Sequence, residues 1–491
     1  MKRHSILFLT SPEHGQSNVH LAVIASLQDR HGDLLDIHLA SFKSLQKRCP
    51  LGVTFNVVVG KPLTERHNMA KAQDFAKTSP GFFGACWGFP LLSTIFSPET
   101  PDEYVATARS IDQLILDTQP ALIVVDPGFL PAKDASLQSG RATVMLSPNT
   151  LKENAAPEQG LGIFRIPCMG IGYTYPVPWY LVPLNFLALI FVKIWFDHFD
   201  PVYPAIDKAR HQAGYPGPCP VFADRKFPAL CMSHPVLEYP MIIPDDIVCC
   251  GPILQVSPPL QQVDKRLFDW ISSRSTVLVV LGSHIRMNKS EAQKILTALR
   301  ILLDKRPDVQ VLWKLMKFGD FQLDGADVDG DRLRVTSWLE ADPMSLLRTG
   351  KLICVVNHGG SNSYHEALAT GTPQVILSPW FDCHDFGVRA EWLGIGKWGN
   401  KRVAPNYDEQ EVTSALLSVV GRTPGDIEAG KIRRRAQECA EIIARGVGAE
   451  SQTKGSSAAN GDGSHGPVEG RDVAAEWIWK RLLESDSARA G

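Results

Sequence analysis

From Trp338 the chain reads WLEADPMSLLRTGKLICVVNHGGSNSYHEALATGTPQVILSPWFDCHDF. At its centre an apolar run, Leu352–Val356, meets a tight turn, His358-Gly359-Gly360, and then a helical pattern opening at Ser361. The unpaired N–H groups and the dipole of a helix N-terminus attract phosphate. Glycines there let the backbone approach an anion closely. Asn362 and Ser363 add side-chain donors at that end, and His358 adds another. Glu366, one turn along, shares their face of the helix. A carboxylate does not bind phosphate, but it accepts hydrogen bonds from a ribose diol. Trp338 offers a flat face to a base. Asp382 lies beyond the next strand, at the carboxyl edge where α/β sheets hold ligands, and suits sugar hydroxyls. These residues describe one continuous site for a nucleotide-diphosphate sugar.

Such a site needs strands to carry its turns. The first half of the chain has short continuous apolar runs at Ile6–Leu9, Val57–Val59, Leu122–Val125 and Thr143–Leu146. A second series follows at Val277–Leu281, Val309–Leu312, Leu352–Val356 and Gln374–Leu377. Unbroken apolar runs suit parallel strands covered on both faces. A turn-rich stretch, GPILQVSPPLQQ from Gly251, separates the two series. The expected fold is α/β, with two Rossmann-like doubly wound domains facing across a cleft. Residues 1–250 form the first domain, 251–265 the linker and 266–446 the second domain. Residues 447–471 are small, polar and glycine-rich, and read as a flexible insertion. Residues 472–491 form a terminal helix.

Composition narrows the function. Fifty basic residues face fifty-two acidic ones in a chain of 491, so no charge footprint for nucleic acid exists. The ten cysteines form no CxxC pair, which argues against structural zinc and for a reducing compartment. The terminus MKRHSILFLTSPEHG has too short an apolar part for a signal peptide, so a cytoplasmic protein is expected. The apolar segment 176–199 is interrupted by Pro183, Asn185 and Lys193. It reads as a helix pair lining an apolar cavity, with shallow membrane contact as the alternative. Gly394-Ile-Gly-Lys-Trp-Gly399 matches GxGxxG but follows a helical pattern, so it lacks the mechanics of a dinucleotide turn.

The combination resembles the UDP-dependent glycosyltransferases that carry the plant secondary-product signature box. Trp338 stands as the first tryptophan of the box. His358-x-Gly360-x-Asn362-Ser363-x-x-Glu366, Gly371-x-Pro373, Pro379 and Asp382 follow. The resemblance implies a GT-B fold and an inverting transfer of a hexose, glucose by default, to a lipophilic small molecule. Trp338 would stack on uracil. His358, Gly360, Ser361, Asn362 and Ser363 would hold the diphosphate together with Gly282 and Ser283, and Glu366 would bind the ribose. Asp382 and Cys383 would meet the sugar, with Cys383 standing where the family has glutamine. No cofactor or metal is implied beyond the UDP-sugar co-substrate, and a monomer is expected. The terminal helix would cross back to the first domain.

The acid–base apparatus departs from the family. A histidine follows the first glycine there, whereas here the position is Gln16, flanked by His14 and His20. Glutamine is no base near neutral pH. His14 is the expected general base, oriented by Asp126 after the run LIVV. His20 and an acceptor acidic enough to need no base remain alternatives. A silent nucleotide-sugar-binding protein and a sterol, lipid or C-glycosylating enzyme are the other functional readings.

Overall fold

The computed structural model describes residues 3–66, 77–220, 225–282, 285–325, 330–447 and 469–490. Ser283 and most of the expected insertion lie outside them. Two all-parallel sheets carry the chain. In the first, β1 (His4–Leu9), β2 (Leu35–Ser41), β3 (Thr54–Val57), β4 (Leu122–Val125), β5 (Thr143–Ser147), β6 (Ala229–Cys231) and β7 (Ile247–Cys249) take the order β3-β2-β1-β4-β5-β6-β7. In the second, β8 (Ser275–Val280), β9 (Val309–Lys314), β10 (Leu333–Thr336), β11 (Leu352–Asn357), β12 (Gln374–Ile376) and β13 (Gly396–Trp398) take the order β10-β9-β8-β11-β12-β13.

Both orders reverse beside the first strand of the sheet, between β1 and β4 and between β8 and β11. The chain leaves these neighbours in opposite directions, which opens a crevice at their carboxyl ends. Register sets the ends level, with Leu9 opposite Val125 and Val356 opposite Val279. The residues that follow are Thr10 to Gln16 and Asp126 in one domain, Gly282 and His358 in the other. The fold thus puts the expected site residues at two facing switch points.

Each sheet is buried on both faces. Ile6, Phe8 and Val124 face one core of the first domain, and Leu7, Leu9 and Val125 the other. Each such side chain contributes about 1.5–3 kcal/mol by leaving water. β2 escapes a search for unbroken apolar runs because Asp36 and His38 alternate with its apolar residues, LDIHLAS. Val57 ends β3, so that strand lies earlier than its apolar residues suggest.

The chain crosses between the domains twice. One crossing follows β7. The other leads into the helix Gly470–Ala490, whose Ala474, Ala475, Ile478 and Leu482 are buried in the first domain's core. Ser26 fixes its start by donating to Asp472 at 2.6 Å. The crossings touch, since a Cβ on Gly470 would come within 2.4 Å of the Pro252 carbonyl oxygen. Buried polar pairs join the domains elsewhere. Arg389, on the helix Phe381–Trp392, donates to Glu238 at 2.7 Å and to Thr150 at 2.9 Å. Lys152 pairs with Asp385 beside them.

The segment 176–199 differs from expectation. Val182–Phe199 is one continuous 18-residue helical stretch of mean hydropathy 1.4, and only 11% of it is buried. Asn185 does not break it. Its amide is buried, accepting from the Cys168 N–H at 2.7 Å and donating to the Ile166 carbonyl at 2.8 Å. One side packs on the helix Phe82–Phe96 in a cluster with Phe89 and Phe381, and Leu184, Phe186, Leu187 and Ile194 remain exposed.

Candidate active site between two switch points

The second domain supplies an anion-ready end. The helix Ser361–Ala369 starts at Gly360 and has no side-chain cap, so its first N–H groups face the cleft unclaimed by the chain's own side chains. The turn before it depends on Gly359, at φ +82°. A Cβ there would also strike the Cys383 carbonyl oxygen at 2.7 Å. Gly282, again at φ +82°, ends the neighbouring β8 turn, and the His358 ring fills the gap between Gly282 and Gly360. A Cβ on either would lie within 2.8 Å of that ring. Adjacency of β8 and β11 therefore brings both turns and the imidazole to one point. Ser361 donates to the Pro148 carbonyl at 2.6 Å and Asn362 to the His14 carbonyl at 3.2 Å, so this end abuts the first domain. Ser363 shares the half-buried first turn.

Glu366 borders a narrow crevice with Asn362, Asp342, Asn18 and Gln255. Burial and the nearby Asp342 push its carboxyl up to about 8. Trp338 is 60% exposed, and the Lys314 ammonium sits 4.3 Å over its ring. Asp382 and Cys383 open the helix after β12. Burial and the charge of Asp385 push Asp382 up to about 7. Burial holds the Cys383 thiol protonated, its pKa raised well above the usual range. No group of three metal-ligating side chains converges among the described residues.

The first domain's switch point is built differently. Asp126 is fully buried, and its carboxylate accepts from the Ser11 hydroxyl at 3.0 Å, the Ser11 N–H at 3.2 Å and the Gly128 N–H at 2.8 Å. These partners come from the loop itself. His14 opens the helix His14–His31 as an exposed residue. His20 lies in the core, where burial lowers its imidazole to about 4 and keeps it away from the cleft. A cavity of about 160 Å³ adjoins the loop, lined by Ser11, Glu13, Gln16, Phe96, Glu99 and Phe129 among others. That is room for a ligand fragment and not only for water, whose share is about 30 Å³. Its walls come from the end of the Phe82 helix and from Phe129, while the segment 176–199 does not line it. Glu13 and Glu99 escaped sequence reading because a lone glutamate in a loop resembles a solvated one. The visible signal was Glu13's place directly after β1, at a switch point.

Two facing Rossmann-like domains make the GT-B fold, with an uncapped helix end in its cleft. The glycosyltransferase sdnJ of Sordaria araneosa is 35% identical over 495 residues, covering 91% of this chain and 96% of its own length. A UDP-glycosyltransferase of Talaromyces amestolkiae is 22% identical over 247 residues, covering 46% of this chain and 45% of its own. The crystal structure of the glycotransferase of kitacinnamycin superposes with a TM-score of 0.63 at 15% identity, covering 98% of this chain and all of that one. No family model matches the sequence. The chain belongs to the UDP-glycosyltransferases.

Proposed function

We propose that the protein is an inverting transferase that moves glucose from UDP-glucose to a hydroxyl of a lipophilic small molecule, a phenolic, polyketide or terpenoid. The observation that supports this most is the uncapped Ser361 helix end beside the Gly282 and Gly359 turns, with His358 between them. It presents N–H donors and an imidazole where a leaving diphosphate gathers charge. The leaving group is then stabilised by the helix terminus, and no divalent ion is obligatory.

In this reading Trp338 stacks on uracil, Glu366 accepts from the ribose, and Asp382 with Cys383 meets the sugar. The acceptor enters through the first domain, and its hydroxyl loses its proton at the mouth formed by Thr10 to Gln16 and Asp126. The exposed apolar face of Val182–Phe199 rests shallowly on membranes, the source of such acceptors. The enzyme acts as a cytoplasmic monomer. A mass-spectrometric product screen with several UDP-sugars and a panel of phenols, polyketides and sterols tests the reading. Glucosides are expected from UDP-glucose, undiminished by a chelator. Activity lost to the chelator and restored by manganese or magnesium overturns the metal-free part. UDP binding with no product from any acceptor favours a silent binder.

A further inference from the structure

Two buried oxygens at the first switch point lack partners among the described residues. They are Glu13 Oε1 and Gln16 Oε1, and both belong to residues lining the cavity beside β1. Both are acceptors, so the cavity asks for a ligand that donates, as a hydroxyl does. Gln16 can only accept or donate a hydrogen bond. Glu13 can also take the proton.

We propose that Glu13, and not His14, removes the proton from the acceptor hydroxyl, with Ser11 and Asp126 behind it as positioning residues. The proposal rests on the transfer reading above. The acceptor oxygen attacks the anomeric carbon, the bond from that carbon to the UDP β-phosphate oxygen breaks, and UDP leaves with the electron pair. The hydroxyl proton passes to the Glu13 carboxylate. The Ser11 hydroxyl donates to Asp126 Oδ2 at 3.0 Å and also stands beside the Glu13 carboxyl, whose ionised form it favours.

Charge around Glu13 is mixed. Asp126 stands behind it and Glu99 across the cavity. Lys61 and Arg66 line the same cavity, with Arg66 drawn to Glu103 at 2.7 Å. His14 is its neighbour in sequence. Burial, then the charge of Asp126, raises the Glu13 carboxyl above the ordinary carboxylate range, while its own backbone N–H, the Ser11 hydroxyl and the Leu63 N–H pull it down. A base must be ionised to work, so activity should rise with pH through that raised value.

The test uses the full chain with UDP-glucose, following both its slow hydrolysis, which needs no acceptor, and transfer to 2-phenylethanol, an alcohol that does not ionise in the range followed, across pH. UDP affinity is measured by calorimetry as the check on folding and donor binding. Glu13→Gln should lower both rates by about two orders of magnitude, abolish the acid limb and leave UDP affinity unchanged. Ser11→Ala should move the acid limb to higher pH, because a bond favouring the carboxylate is gone. Glu13→Gln rates within a few-fold of wild type, or an unchanged acid limb, overturn the assignment. So does the same loss found in His14→Ala or Glu99→Gln alone. Failure of the wild-type chain to bind UDP overturns the transfer reading itself, and Glu13's role with it. UDP bound without hydrolysis or transfer overturns the catalytic role.

Discussion

The two switch points share a topology and differ in what makes them work. The second-domain edge is a matter of backbone. Gly282 and Gly359 have positive φ, the His358 ring sits where the side chains of Gly282 and Gly360 would be, and the helix end is left uncapped. The first-domain edge is a matter of side chains, with Asp126 held by Ser11 and Gly128 and with Glu13 and Gln16 turned to a cavity. A backbone site suits a ligand part that is always the same, the diphosphate. A side-chain site can be changed residue by residue, as a variable acceptor requires.

The contrast breaks most visibly at glycine. Gly359→Ala forces a positive φ on alanine and drives its Cβ to 2.7 Å from the Cys383 carbonyl oxygen. The expected cost is about 2–5 kcal/mol of stability, from backbone strain and overpacking together. The same change at Gly15 meets nothing within 4 Å and needs no unusual φ. It should stay within about 0.5 kcal/mol. Thermal unfolding of the two variants decides the matter, and equal losses would erase the distinction.

Next in size are the polar contacts to the nucleotide. Asn362→Ala and Glu366→Ala should each weaken UDP binding by about 1–3 kcal/mol, while Gln16→Ala leaves it unchanged. Calorimetry gives all three. The Glu366 carboxyl, held up to about 8, is mostly protonated in the free chain near neutral pH. Ribose hydroxyls that donate to it favour its ionised form, so binding releases a proton below that value. UDP affinity should therefore rise with pH toward about 8 and level off above it, by less than about tenfold per pH unit. Glu366→Gln should flatten the profile.

The smallest effect is expected at Trp338. Base stacking is worth about 1–3 kcal/mol by alanine substitution. Lys314 already covers one region of this ring at 4.3 Å, so the lower end is expected for Trp338→Ala in UDP titrations.

The same contrast explains what could be read from residues alone. Apart from Gly282, the second-domain half lies within one stretch, from Trp338 to Cys383, and its glycines and helix start announce their geometry through fixed spacing. The doubly wound architecture was equally legible, because buried parallel strands such as LIVV leave unbroken apolar runs. The first-domain half was not. Glu13 gains its character from Glu99, Arg66 and Phe129, which the fold brings from distant points in the chain. His20 resembled a base because spacing cannot say that its face of the helix turns inward against Phe8. Asp126 was found by its place after β4, but its partners were not. A short loop can satisfy a carboxylate with its own N–H and hydroxyl groups, and no periodicity marks it.

The contact between Gly470 and Pro252 has a mechanical consequence. Two lengths of chain pass from one domain to the other and touch as they do so. A single tether would let the domains swing and twist freely. Two tethers meeting at one place work like the spine of a book, leaving mainly rotation about a line through that contact. An angular opening about that line must also break the Arg389–Glu238 and Lys152–Asp385 pairs that join the domains, and their re-forming brings Glu13 and the Ser361 helix end back to one alignment.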